Sequence, residues 1–148
     1  MISSGKKFTK TLVEKFGERG KIAEEGEKFF CDFYTSKGWI ATRFEDDIYQ
    51  QVIGCDVILR KGNECYSVDV KNNLKSENEL IVECLPDGWL FNPIKKSMFI
   101  SHVNPKLKQI ISYRRERMKE YLITCCWDFR NEIIRLDPSK LSFVKWER

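Results

Sequence analysis

Three charged residues stand where a sheet-forming sequence ordinarily has none. Asp56, Asp69 and Lys71 fall in the stretch GCDVILRKGNECYSVDVKNN, residues 54–73, among Val, Ile, Leu, Cys and Tyr. Aspartate is depleted in strands, so two of them in apolar runs call for a reason. A two-residue turn of Gly62-Asn63, glycine first as a type II′ turn requires, pairs Lys61 with Glu64 and Arg60 with Cys65. Continuing that register sets Asp56 opposite Asp69, and the alternation of side chains puts Lys71 on the same face. A Lys61-Gly62 turn would set Asp56 opposite Ser67 and keep the three charges together, whereas a three-residue loop would separate them.

Carboxylates that face each other across a ladder, with Cβ atoms about 4.5–5.5 Å apart, repel unless a cation lies between them. Mg²⁺, which takes one or two carboxylates and keeps several waters, suits such a pair. Lys71 adds a point charge able to orient a water or to stabilise charge on a phosphate oxygen. The plainer reading is an edge strand facing water, with Lys71 pairing Asp69 at the surface.

The elements that must position these residues follow from periodicity. Residues 20–37 read as a helix, with Ile22, Gly26, Phe29, Phe30, Phe33 and Tyr34 in one arc and Gly38 as its stop. Before it, Phe8, Leu12, Val13 and Phe16 recur at helical spacing with lysines between them, as in a docked helix or a basic arm. Strand-like runs cover 39–44, the two arms of the hairpin, 80–84 and 97–103. Pro105 opens an expected second helix to about Leu122, with a stripe of Leu107, Ile110, Ile111, Met118, Tyr121 and Leu122. Three short runs, 124–127, 132–136 and 141–146, read as strands. The order predicts an α/β fold in which a central mixed sheet is flanked by helices.

The acid on one arm of the hairpin and Asp69-Val70-Lys71 on the other resemble the PD-(D/E)xK nuclease superfamily, whose signature is an acid followed on the next strand by (D/E)-x-K. No other (D/E)-x-K occurs in the chain. Gly26-Glu27, its Glu27 eleven residues before Gly38, is similar to the family's helix glutamate; Glu27 borders the apolar arc, with Glu25 as the reserve. Gln109-Ile110-Ile111-Ser112-Tyr113 has the Q-x-x-x-Y form of RecB-like members. The chain departs from the pattern in having Cys55 where a proline often precedes the first acid.

The resemblance covers about residues 20–123 and implies a restriction-endonuclease-like core. It further implies Mg²⁺-dependent hydrolysis of DNA phosphodiesters, with Mn²⁺ able to substitute. Asp56 and Asp69 would then hold the metal with help from the Val70 carbonyl. Lys71 would position the attacking water, and Glu27 would support a water or a second metal. Within the superfamily the short chain points by analogy to a site-specific endonuclease of phage or cyanobacterial homing type. The alternatives are a Holliday-junction resolvase or other structure-specific nuclease, and a non-catalytic nucleic-acid-binding module on the same fold.

Length, charge and cysteines fit this reading. A chain of 148 residues without low-complexity linkers predicts one domain, 1–148, with a basic N-terminal segment at 1–19 and a C-terminal extension at 124–148. The net charge of +4 is unevenly spread: residues 1–21 carry +4, 22–94 carry −7 and 95–148 carry +7. Basic ends around an acidic middle suit a protein that holds a polyanion with its flanks and a cation with its centre. The expected phosphate contacts are Lys6, Lys7, Lys10, Lys106, Lys108, Arg115 and Lys119. Arg114, inside the helical stripe, is expected either to reach DNA or to form a buried ion pair. One active site per small domain implies a homodimer or higher homo-oligomer for cutting both strands.

The six cysteines form no C-x-x-C pair and the sole histidine, His102, has no partner at a metal-ligand spacing, which argues against a zinc site. No run approaches the about 18 apolar residues of a membrane span, and the N-terminus lacks the apolar core of a signal peptide. An intracellular, cytoplasmic protein with reduced thiols is expected.

Overall fold

The structure, a computed structural model, describes residues 12–44, 47–125 and 132–147, with the side chains of 12–19, 48 and 51 outside the description. Lys6, Lys7 and Lys10 therefore lie outside the described residues. The first helix, α1, runs Leu12–Ser36, so the apolar arc read from residue 20 belongs to a helix that starts earlier. Gly38 ends it at φ +92°, with its N–H on Thr35 O and the Trp39 N–H on Tyr34 O; a left-handed residue here is most easily glycine.

A six-stranded mixed sheet lies at the centre. In chain order its strands are β1 (Ile40–Arg43), β2 (Val57–Lys61), β3 (Glu64–Lys71), β5 (Phe99–Asn104), β6 (Gln109–Arg114) and β8 (Lys145–Glu147). They lie side by side in the order β1-β2-β3-β5-β6-β8. All neighbours are antiparallel except β3 and β5, which are parallel. A parallel pair needs a long crossover, and residues 72–98 supply it. That crossover contains β4 (Leu80–Glu83), which pairs with β7 (Ile133–Leu136) in a separate two-stranded sheet. A five-residue helix, α2 (Ile48–Val52), joins β1 to β2, and α3 (Arg115–Thr124) follows β6 directly.

The expected helix from Pro105 to Leu122 is instead a hairpin followed by a helix. Pro105 opens the turn between β5 and β6, with the Lys108 N–H on Pro105 O and Lys108 itself at φ 54°. Strand β6 lies between β5 and β8 and is buried on both faces at Ile110–Tyr113, so its sequence lacks the apolar–polar alternation of a half-exposed strand. Such a run matches helical spacing as well as a strand does.

Each face of the sheet has its own core. On one face Phe30 and Tyr34 of α1 pack on Val57, Leu59, Val68, Val70, Val103 and Ile110; full burial of a ring such as Phe30 is worth about 1.5–3 kcal/mol. On the other, Ile100, Ile111 and Tyr113 meet Leu80, Val82, Leu90, Met118, Leu122 and Leu141. Of the cysteines, Cys31, Cys55, Cys65, Cys84 and Cys125 are free thiols. Burial raises Cys31, Cys55 and Cys84 to about 11, which keeps them protonated and inert.

Candidate active site

The turn between β2 and β3 sets the site's register. Gly62 takes φ +60°, and the ladder runs from Lys61↔Glu64 and Arg60↔Cys65 to Val57↔Val68. The regular ladder stops there, short of the expected Asp56–Asp69 pair: the Asp56 N–H donates to O of Val68, the partner of Val57, at 3.0 Å, and Asp56 Oδ2 accepts the Val70 N–H at 2.9 Å. The two carboxyl groups end up side by side.

Their surroundings differ. Asp69 is 2% exposed and is bracketed by cations, Lys71 Nζ at 3.2 Å from Oδ1 and Arg115 Nη2 at 3.7 Å from Oδ2. Asp56 has no Lys or Arg partner among the described residues. Its carboxyl is held above the usual carboxylate range, first by burial, then by the Asp69 charge and a hydrogen bond between the two side chains; the Val70 N–H opposes this. A carboxyl pushed up in this way is short of positive charge.

Helix α1 brings the third acid. Glu27, on the residue after Gly26, lines the same cavity of about 330 Å³ as Asp56, Asp69, Lys71, Asn72 and Lys95. It is also bonded to Arg43 of β1, whose Nε and Nη2 lie 3.3 Å from its Oε1. Gly26 makes this approach possible: a Cβ there would stand 2.7 Å from Asn72 Cβ, closer than side chains tolerate. Asn72 in turn donates to Ile22 O at 2.8 Å, fastening the helix to the end of β3. Glu25 is exposed.

Behind the cavity lies a polar network that residue spacing did not reveal. His102 on β5 is buried and shares hydrogen bonds with Asn73 Oδ1 at 2.6 Å and Tyr113 Oη at 2.7 Å. Burial and the nearby Lys71 charge hold it down at about 3, so it is neutral. Trp89 stands edge-on to its ring at 5.6 Å and carries Lys71 Nζ at 5.4 Å from its own ring centroid. Gln109 and Tyr113 lie on β6, not on a helix; Tyr113 serves His102, and Gln109 Oε1 is buried without a hydrogen bond.

The expected phosphate contacts divide. Lys106 and Lys108 are exposed in the β5–β6 turn. Lys119 is 26% exposed beside Glu116. Of the two outcomes expected for Arg114 it takes the exposed one, and Arg115 takes the buried pairing, because β6 ends and α3 begins between them. Arg114 is exposed, whereas Arg115 is 3% exposed. Arg115 Nε donates to Ser97 O at 3.0 Å, Nη2 to Ser97 Oγ at 2.5 Å, and Nη1 to Trp89 O and Leu90 O. Its guanidinium is committed to the interior, which corrects the expectation of an exposed contact. Lys95 went unnoticed in the sequence; it lines the acid cavity and also a neighbouring one of about 420 Å³ with Lys96, Arg114 and Lys119.

The donor chemistry fits a hard divalent cation. Two adjacent carboxylates offer oxygen ligands and need charge, and Mg²⁺ completes its shell with water. No group of three His, Cys, Asp or Glu is gathered tightly enough for a protein-only cage among the described residues.

A solved nuclease shares this architecture. It is a bacterial homing endonuclease, I-Ssp6803I, with a TM-score of 0.53 over 78% of this chain and 72% of that one. At 14% identity the likeness to I-Ssp6803I is one of fold: a large mixed sheet flanked by helices. No family model matches the chain and no curated protein does.

Proposed function

We propose that the protein is a Mg²⁺-dependent DNA endonuclease of the PD-(D/E)xK superfamily, of homing type, cutting both strands at a specific site as a homo-oligomer. The observation that carries this reading is the convergence of Asp56 and Asp69, with Lys71 beside them and Glu27 facing them from α1, on a fold shared with I-Ssp6803I. In this reading Asp56, Asp69 and the Val70 carbonyl hold the ion. Bound Mg²⁺ would lower the pKa of a water and draw charge from the scissile phosphate.

The chain's own residues do the rest. Arg115 fixes the rotamer of Asp69 from the interior side. Lys71, propped on Trp89, presents its ammonium beside Asp69, where it orients the attacking water. Glu27, steadied by Arg43, accepts a hydrogen bond from a water or supports a second ion. Lys95, Lys96, Arg114 and Lys119 form a basic surface leading away from the acids, which suits a sugar-phosphate backbone and reads no sequence.

Incubating the protein with a plasmid library carrying random inserts and with synthetic four-way junctions, with Mg²⁺ or a chelator, tests the reading. Library members that carry the recognised site are expected to be cut with Mg²⁺ and spared by Asp69→Ala. Cleavage of junctions alone would move the protein to the resolvases, and absence of Mg²⁺-dependent cleavage of either would end the nuclease reading.

A further inference from the structure

The sheet face opposite Asp69 holds a second and larger cavity, of about 610 Å³. Its floor comes from the alternate residues of the same strands, among them Val68, Ser101 and Ser112. The Ser101 and Ser112 hydroxyls meet at 2.6 Å, with Phe30 and Tyr34 of α1 also in the lining. Aromatic rings wall it: Trp39, Tyr66 and Phe99 form a run with centroids 5.8 and 5.3 Å apart, and Phe143 closes the far side. All four are only partly buried.

Cations stand on the rim. The Arg114 guanidinium lies 4.9 Å from the Phe99 centroid and that of Arg117 lies 5.0 Å from Phe143, with Lys145 beside them. No carboxylate pairs with Arg114 among the described residues, while Arg117 and Lys145 meet exposed Glu120 and partly buried Glu147. Glu64, an acid of the lining, accepts the Tyr66 hydroxyl at 2.8 Å. Flat apolar walls, hydroxyls on the floor and stacked guanidinium groups at the mouth match a flat heteroaromatic ring bearing an anion. The volume lies in the range of about 300–1,000 Å³ usual for such ligands.

We propose that this cavity binds one nucleotide unit, its base between the aromatic walls and its phosphate on Arg114, Arg117 and Lys145. The nucleotide comes either free in solution or as an unpaired base of a strand, since both present the same ring and phosphate. A second copy of the chain fits less well, because a two-fold contact across this groove would bring the two sets of cations together. The site stands apart from the acids and shares Arg114 with the basic surface beside them, so Tyr66→Leu, which leaves that surface intact, separates it from the nuclease reading.

Calorimetric titration in the presence of chelator tests it, using dAMP, deoxyadenosine, inorganic phosphate and a short oligodeoxyadenosine. We expect saturable binding of dAMP or of the oligonucleotide, weakened about tenfold or more in Arg114→Gln and in Tyr66→Leu. Deoxyadenosine and phosphate alone are expected to bind at least about tenfold more weakly than dAMP. Binding of dAMP assigns the free nucleotide; binding of the oligonucleotide alone, with the same loss in both variants, assigns a base within a strand. Failure of both to bind, or equal binding by wild type and folded variants, would overturn the proposal. So would a dimer that Arg114→Gln dissociates and that neither ligand displaces.

Discussion

Asp56, Asp69 and Lys71 were legible because their placement depends on a local turn. With Gly62-Asn63 as the two-residue loop the register is fixed back to Val57↔Val68, and Asp56, one residue beyond, is held beside Asp69 by its bonds to Val68 O and the Val70 N–H. Arg115 and His102 were not legible. Both act across distances set by the parallel β3–β5 pairing and by the 72–98 crossover, and no spacing in the sequence encodes either. Arg115 is the more consequential. Replacing it by methionine leaves Asp69 with one cation and strips donors from Ser97 and the Trp89 and Leu90 carbonyls; a loss of about 3–5 kcal/mol in urea unfolding is expected. An unchanged urea midpoint would show that the buried pair does not matter. His102 supplies a pH dependence. Its folded value, about 3, lies below the unfolded value of about 6.5, so only the unfolded chain takes up a proton between them. Its contribution is complete above about 6.5 and falls by roughly 1.4 kcal/mol for each pH unit below that, until about 3. Asp56, raised in the fold, acts in the opposite sense as pH rises above about 4. The His102 slope is therefore to be measured in Asp56→Asn between about pH 6.5 and 5, above the range where the lowered Glu24 and Asp137 add a loss of the same sign; a flat stability profile through this window would contradict it.

Among the elements, α1 and the hairpin that opens at β2 were readable from amphipathic spacing, a glycine stop and turn chemistry, although α1 begins earlier than its arc suggested. The β5–β6 hairpin was not, since β6 is apolar on both faces and Pro105 serves a turn as well as it serves a helix start. A strand ending at Arg114 turns Arg115 inward, where helical spacing predicts an exposed residue. The seating of α1 on β3 turns on Gly26. Alanine would favour the helix itself, but its Cβ would meet Asn72 at 2.7 Å, so α1 must shift and carry Glu27 with it. Gly26→Ala is expected to lose about 1–3 kcal/mol in thermal unfolding and most Mg²⁺-dependent cleavage. Full cleavage by the variant would separate Glu27 from the chemistry.

For the whole molecule, the acidic middle of the chain supplies the acid cavity, and the basic stretch after it supplies Lys95 at its border and Lys96, Arg114 and Lys119 beyond. No described helix is long and apolar enough to cross a membrane. An ion that enters between Asp56 and Asp69 in the folded state alone must stabilise the fold, by about 2.7 kcal/mol at a hundred times its dissociation constant. The thermal midpoint of the wild type should therefore climb with added Mg²⁺ or Ca²⁺, and that of Asp56→Asn should stay level; equal climbs would mean the ion binds elsewhere. The most direct measurement of all is the conversion of a supercoiled plasmid library carrying random inserts to nicked and linear forms by chelator-treated protein on return of Mg²⁺. Wild type is predicted to cut the members that carry its site and Asp56→Asn, folded and at least as stable, to leave the library intact. Cleavage by Asp56→Asn at the wild-type rate, or none by wild type, would contradict the account.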